Sequence, residues 1–181
     1  MNAKSTRIGL LGAITLAAVL IGSPGPARAG EDQTISGFSA WQGRGQAFQT
    51  GPDQLTFVGS FSGMLYVDTD QGPQDAGLMV CPAMIKVSIS DGSQIGEGHC
   101  AIAEKDGDRV YADLACKGVH LVGCQGALTL TAGTGRFAGI SGGGHVSLRS
   151  GLHDFAVLPG NTIEENAAGI LVIRDLHYKI P

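Results

Sequence analysis

The chain is short of basic residues, of aromatics, and of any long apolar run beyond its first residues. Lys and Arg number 12 against 16 Asp and Glu, for a net charge of −4. An acidic surface repels phosphates and anionic headgroups, so nucleic acid is a poor partner. Tryptophan occurs once, at Trp41, and reads as a core or end-plug residue rather than a sugar platform. There is no Gly-x-Ser-x-Gly elbow and no His-Glu-x-x-His pair, which disfavours a hydrolase. No internal repeat, low-complexity block or interdomain linker interrupts the chain, and no convincing helical pattern is present.

The first 29 residues read as a leader. Lys4 and Arg7 make a basic start, and Ile8 to Gly22 is an apolar run of about 15 residues, short for a membrane span. Ser23-Pro24-Gly25-Pro26 breaks it, and Ala27-Arg28-Ala29 has the small-x-small pattern that signal peptidase reads. Cleavage is expected after Ala29; an uncleaved anchor is the alternative. Removing 29 of 181 residues leaves 152, about one domain, at 30–181. Losing Lys4, Arg7 and Arg28 leaves 9 basic against 16 acidic residues, or −7. The expected location is periplasmic or secreted, with no membrane association after cleavage.

All four cysteines (Cys81, Cys100, Cys116 and Cys124) fall in the mature part. An even count in an exported chain favours two disulfides, and four cysteines allow three pairings. A hairpin around 117–123 would set Cys116 roughly opposite Cys124. Cys81 then pairs with Cys100 by default.

The rest reads as β. Leu55, Phe57, Gly59, Phe61, Gly63, Leu65 and Val67 take every second position, with Thr56, Ser60, Ser62 and Tyr66 between. That alternation is wrong for a helix. Met79, Cys81, Ala83, Ile85, Val87 and Ile89 repeat it. Asp91-Gly92-Ser93 and Asp106-Gly107 signal hairpin turns. Strands are expected near 37–42, 55–67, 79–90, 95–104, 110–116, 122–131, 144–149, 152–158 and 169–178. Pro159-Gly160-Asn161 reads as a turn, and 162–168 as a possible single helical turn. Glycines within strands suit a tightly curved sheet, which can escape exposed edges by closing into a barrel.

The most specific segment is Leu128 to Gly144, LTLTAGTGRFAGISGGG. A β-like run enters Gly133-Thr134-Gly135-Arg136-Phe137-Ala138-Gly139. This resembles the signature of the barrel family of allene oxide cyclases and dirigent proteins, in which a strand ends in GGTG-(K/R)-(F/Y)-x-G; Ala132 replaces the first glycine. The sequence looks like a bacterial exported member. The resemblance implies a single antiparallel, about eight-stranded closed β-barrel of calycin-like type. It also implies a trimer and a small hydrophobic or phenolic ligand inside the barrel. Gly133, Gly135, Phe137 and Gly139 are read as fold residues, with Phe137 plugging one barrel end. A phosphate cradle would need a following helix, and none is expected. The plant enzymes' catalytic residues cannot be placed on this chain.

Two constellations carry candidate chemistry. Cys116, His120 and Cys124 have metal-ligand types that would suit copper or zinc. Their spacing of four converges on a helix, not a strand, and an oxidising compartment favours disulfides with ordinary surface histidines. No metal or cofactor is therefore expected. Glu97, His99, Tyr111 and Asp113 are polar residues on neighbouring strands and share one face if Asp106-Gly107 is the turn. Facing inward, they would be an acid–base cluster in an apolar barrel. Facing outward, they are solvated strand positions, the usual place for such residues.

The leading functional reading is an exported barrel that binds a small hydrophobic or aromatic molecule, as a carrier or a shape-directing cyclase. The alternative is a non-catalytic, disulfide-stapled structural or interaction module. Inward side-chain size separates them. Phe57, Phe61, Leu65, Met79, Ile85 and Ile89 would fill the interior, whereas Gly96, Gly98, Ala101, Ala103, Ala112 and Gly126 would leave room.

Overall fold

A computed structural model describes residues 30, 32–160 and 162–181. The leader, and Asn161 of the expected turn, lie outside these. Eight strands follow in order: β1 (Gln33–Gly51), β2 (Gln54–Val67), β3 (Gln74–Ser88), β4 (Ser93–Ala103), β5 (Arg109–Val119), β6 (Gly123–Gly133), β7 (Ser141–Leu158) and β8 (Thr162–Lys179). Each pairs with the next, and β8 pairs antiparallel with β1 to close the barrel. The all-β, closed eight-stranded antiparallel architecture is the expected one.

Several boundaries differ from the sequence expectation. The short first strand becomes Gln33–Gly51 because it pairs on both sides, with β2 and β8. The expected strands at 144–149 and 152–158 are one strand, β7, with a register shift between Ser150 and Leu152. Residues 162–168 are not a helical turn but the start of β8, paired to both β1 and β7. Two-sided pairing overrides their weak local preference.

Alternation sorts side chains between core and solvent. Trp41, Phe57, Leu65, Met79, Ile102, Leu128, Leu171 and Ile173 are buried inside. Both size classes weighed above contribute. Phe57, Phe61 and Met79 fill the β2–β3 wall, while Gly96, Gly98 and Ala112 thin the adjoining β4–β5 wall. Ala101 and Ala103 take the opposite parity from buried Cys100 and Ile102, and Ile89 lies beyond β3, exposed.

Both disulfides face inward. Cys81 joins Cys100 across β3 and β4, and Cys116 joins Cys124 across β5 and β6. The second pair is diagonal rather than opposite: Cys116 faces Gly126, and Gly118 faces Cys124.

The glycine motif makes the β6–β7 corner. Gly133 ends β6, and Gly135–Phe137 forms one 3-10 turn. Gly135 (φ 53°) and Gly139 (φ 79°) adopt left-handed backbone, which glycine takes without steric penalty. The Asp108 carboxylate lies where a Gly135 side chain would stand and accepts the Arg136 backbone N–H at 3.0 Å. Phe137 packs against the core at this end.

Candidate functional site

One end of the barrel is formed by the β1–β2, β3–β4, β5–β6 and β7–β8 connections. Beneath it lies a cavity of about 80 Å³. Trp41, Phe57, Phe61, Met79, Leu114 and Leu171 make its apolar wall. Trp41 meets Phe61 edge-on at 5.3 Å between centroids, and Phe61 tilts against Phe57 at 5.8 Å. Into this wall project Gln94, His120, His153 and Glu165.

Each polar group reaches the interior for a local reason. On β8, Ile173 and Leu171 point inward, and the same parity runs back through Ala167 to Glu165, which is 6% exposed. On β7, Val146 points inward, and strict alternation would turn Leu152 inward and His153 outward. Gly151 is left without a partner on β8, because Ser150 pairs with Gly169 and Leu152 with Ala168. The extra residue exchanges the faces beyond it. Leu152 is therefore 73% exposed, and the His153 side chain is largely buried. His120 begins the β5–β6 turn, where Leu121 takes a left-handed φ of 64°. The His120 N–H donates to the Gly92 carbonyl at 2.8 Å, tying this turn to the β3–β4 turn.

Glu165 sits between the two imidazoles. Its Oε2 lies 3.8 Å from His120 Nε2, and its Oε1 lies 3.6 Å from His153 Nδ1. Both distances exceed a hydrogen bond. His120 Nδ1 approaches Gln94 Oε1 at 3.3 Å, and His153 stacks on Phe155 at 5.9 Å. Both ring nitrogens of His153 and the indole N–H of Trp41 are buried without partners. Burial holds His120 below its ordinary protonation range; the Glu165 charge opposes this, and His153 adds to it. A neutral imidazole beside a carboxylate can accept, hold and return a proton.

Of the sequence-derived candidates, His120 and the Cys116–Cys124 disulfide border this cavity, whereas the polar set on β4 and β5 turns its side chains outward. Glu97, His99 and Asp113 are exposed on the outer face, Tyr111 shares their parity, and His99 Nδ1 pairs with Asp113 Oδ1 at 2.7 Å. The four do share a face, but it is the wet one, because buried Gly98, Cys100, Ala112 and Cys116 hold the inward parity. In the Cys116, His120, Cys124 set, both sulfurs are consumed by a disulfide, so no thiolate ligand remains. His120 is not a surface histidine; its side chain is 21% exposed and lines the cavity. Among the described residues, no three His, Cys, Asp or Glu are arranged to hold a metal ion. Glu165 and His153 were not singled out from the sequence. The signal for Glu165 was present: the odd parity of Leu171 and Ile173 extends back to it. His153 had none, because the bulge reverses the parity.

No family model matches the chain, and no curated protein matches it. Among solved structures it is similar to a pterocarpan synthase dirigent protein, at 8% identity and a TM-score of 0.39, over 93% of this chain and 100% of that one. A likeness of this size transfers no residue role.

Proposed function

We propose that the chain is exported, loses residues 1–29, and acts outside the cytoplasm as a barrel that binds a small hydrophobic or aromatic molecule. The ligand sits between Trp41 and Glu165, and the barrel serves as a carrier or a shape-directing cyclase. The observation that carries this is the set of buried polar groups without partners. Trp41 Nε1 and both His153 nitrogens are buried without a hydrogen-bond partner, in side chains that line the cavity. Unpartnered buried polar groups destabilise a fold, and native proteins keep few of them. A ligand oxygen would satisfy the indole, and its acidic hydrogen would meet Glu165. Beyond the cavity, Phe155 and Val157 continue the inner face of the β7–β8 hairpin as an exposed apolar lip. Two disulfides support an oxidising compartment.

A second reading is a structural module without a ligand. It is favoured by the small cavity, about 80 Å³ between large side chains. Native mass spectrometry of protein purified from its own host, paired with Trp41 fluorescence on titration with 4-ethylphenol, separates the two. A co-purifying small molecule, or a saturable Trp41 response lost in Glu165→Leu, supports binding. A clean protein mass with a flat Trp41 signal up to the probe's solubility supports the structural module.

We also propose self-association through the outer face of β2 and β3. Val58 pairs with Met84 there, and Leu78 shares the face; all three are exposed. Light scattering at several protein concentrations tests this, and a strictly monomeric mass overturns it.

A further inference from the structure

The barrel holds a second cavity, of about 190 Å³. It lies at the opposite end, formed by the β2–β3, β4–β5 and β6–β7 connections and by the ends of β1 and β8. Leu65, Ile102, Val110, Leu130 and Ile173 make its walls, and Phe137 lies across its outer side. No residue lines both cavities. The layer of buried side chains between them divides the interior into two compartments.

The two differ in chemistry. Three groups with side-chain oxygens border the second cavity, and each is already engaged. Tyr178 Oη donates to Gln33 Oε1 at 2.5 Å. Ser36 Oγ accepts the Asp175 N–H at 3.2 Å. Glu104 pairs with Arg136. Nothing here resembles the unpartnered indole and imidazole of the Glu165 compartment. Water needs two to four polar partners to occupy such a space, whereas an apolar cavity of about 150 Å³ lined by Leu, Ile and Phe stays dry and takes benzene or xenon.

The glycine motif borders this end through Phe137. Arg136 lies 4.9 Å from the centre of the Phe137 ring. Its guanidinium is pinned by Glu104 and by Asp106 at 3.3 Å, and its backbone N–H is held by Asp108. Thr134 Oγ1 accepts the Arg109 N–H at 2.9 Å. Residues of the β4–β5 turn thereby anchor the segment that carries Phe137.

We propose that this end is a second binding site, for a ligand group that carries no hydrogen-bonding atom: one aromatic ring or an alkyl segment of similar volume, admitted past Phe137. The proposal does not depend on the Glu165 cavity holding a ligand, since the walls and the chemistry are separate.

Methyl NMR of the oxidised mature protein tests it, with benzene, phenol and decanoate as probes. Saturable benzene shifts at Ile102, Val110, Leu130 and Ile173 are expected. Phenol should bind these positions at least about ten-fold more weakly, because its hydroxyl loses water and gains no partner. Decanoate moving the same methyls identifies an alkyl tail as the natural group; benzene alone doing so identifies a free ring. Ala76→Leu places bulk in this cavity and should abolish the benzene shifts while leaving the Leu114 and Leu171 methyls in place. Phe137→Ala keeps the walls and should speed benzene exchange. Benzene that leaves the four methyls unmoved at its solubility limit overturns the proposal. So does phenol binding there as tightly as benzene, or Ala76→Leu folding normally with the shifts intact.

Discussion

Glu165 Oε2 lies 3.8 Å from His120 Nε2 with no hydrogen bond between them, inside a wall of Trp41, Phe57, Phe61 and Leu171. The carboxylate and the imidazole are near enough to sense each other's charge. Each is also desolvated by the same apolar surroundings. The titration of His120 and the stability of the fold are therefore linked.

Stability should fall on mild acidification. Burial lowers the folded-state proton affinity of His120 from the ordinary value of 6.5. Below that pH the unfolded chain takes up the proton and the native state resists it, so the unfolded state binds more protons and native stability drops. Thermal melts followed by circular dichroism from about pH 7 to pH 5 should show the loss, and His120→Asn should flatten it. Asp53, Asp75 and Asp91 also titrate low, each held down chiefly by hydrogen bonds. Their contribution is lost only as pH falls below the ordinary aspartate value of 3.8, outside this window. An acid-side slope that is identical in His120→Asn would contradict the assignment.

Glu165→Gln should move the His120 titration to still lower pH. The Glu165 charge is the influence that raises His120 against its burial, and the amide removes that charge while keeping the shape. The imidazole carbon resonance followed by NMR reports the midpoint directly. The same variant should weaken 4-ethylphenol binding by about ten-fold, equivalent to one charge-assisted hydrogen bond. An unmoved midpoint would mean that the two groups do not sense each other.

The bulge at Gly151 sets a contrast between a leucine turned outward and one buried in the core. Leu152→Ser should change stability by no more than about 0.5 kcal/mol, as for surface positions away from special features. Leu128→Ala should cost about 2–5 kcal/mol, because Leu128 is 1% exposed and its truncation leaves a hole. Urea unfolding of each variant gives the values. A large loss at Leu152 would mean that β7 does not carry the bulge.

The disulfides should contribute unequally. Cys81–Cys100 spans 19 residues and Cys116–Cys124 spans 8. Loop-closure entropy assigns about 3 kcal/mol to the first and about 2.5 kcal/mol to the second. Paired serine variants should therefore lower Tm by several degrees each, slightly more for Cys81/Cys100, at about 2–4 °C per kcal/mol for a domain of this size. Reversal of that order by calorimetry would show that local strain, not loop closure, governs them.

The β nature of the chain was legible because alternation is a local property. Leu55 to Val67 and Met79 to Val87 announce their strands by alternation, and the structure turns the apolar set of each inward. The Cys116–Cys124 hairpin was legible for a related reason, since both partners lie on adjacent strands joined by a tight turn. The candidate site was not. Glu97, His99, Tyr111 and Asp113 share a face as expected, but which face is inside depends on the residues between them. The parity that runs back from Leu171 to Glu165 could be followed only if the strand began that early, and Glu164, Glu165 and Asn166 have little strand preference of their own; pairing with β1 and β7 extends them.

The sequence by itself determined that this is an antiparallel β chain and that the Gly133–Gly139 segment turns a corner, and it favoured Cys116 pairing with Cys124 across a hairpin. Those depend on side-chain period and on contacts between neighbouring strands. Only the tertiary structure decided that Glu165, His120 and His153 meet. Their meeting needs three non-local events: closure of β8 onto β1, the face exchange at Gly151, and the tie from His120 to the neighbouring turn. Each is set by pairing across the whole sheet, where one residue of register reverses every side chain beyond it.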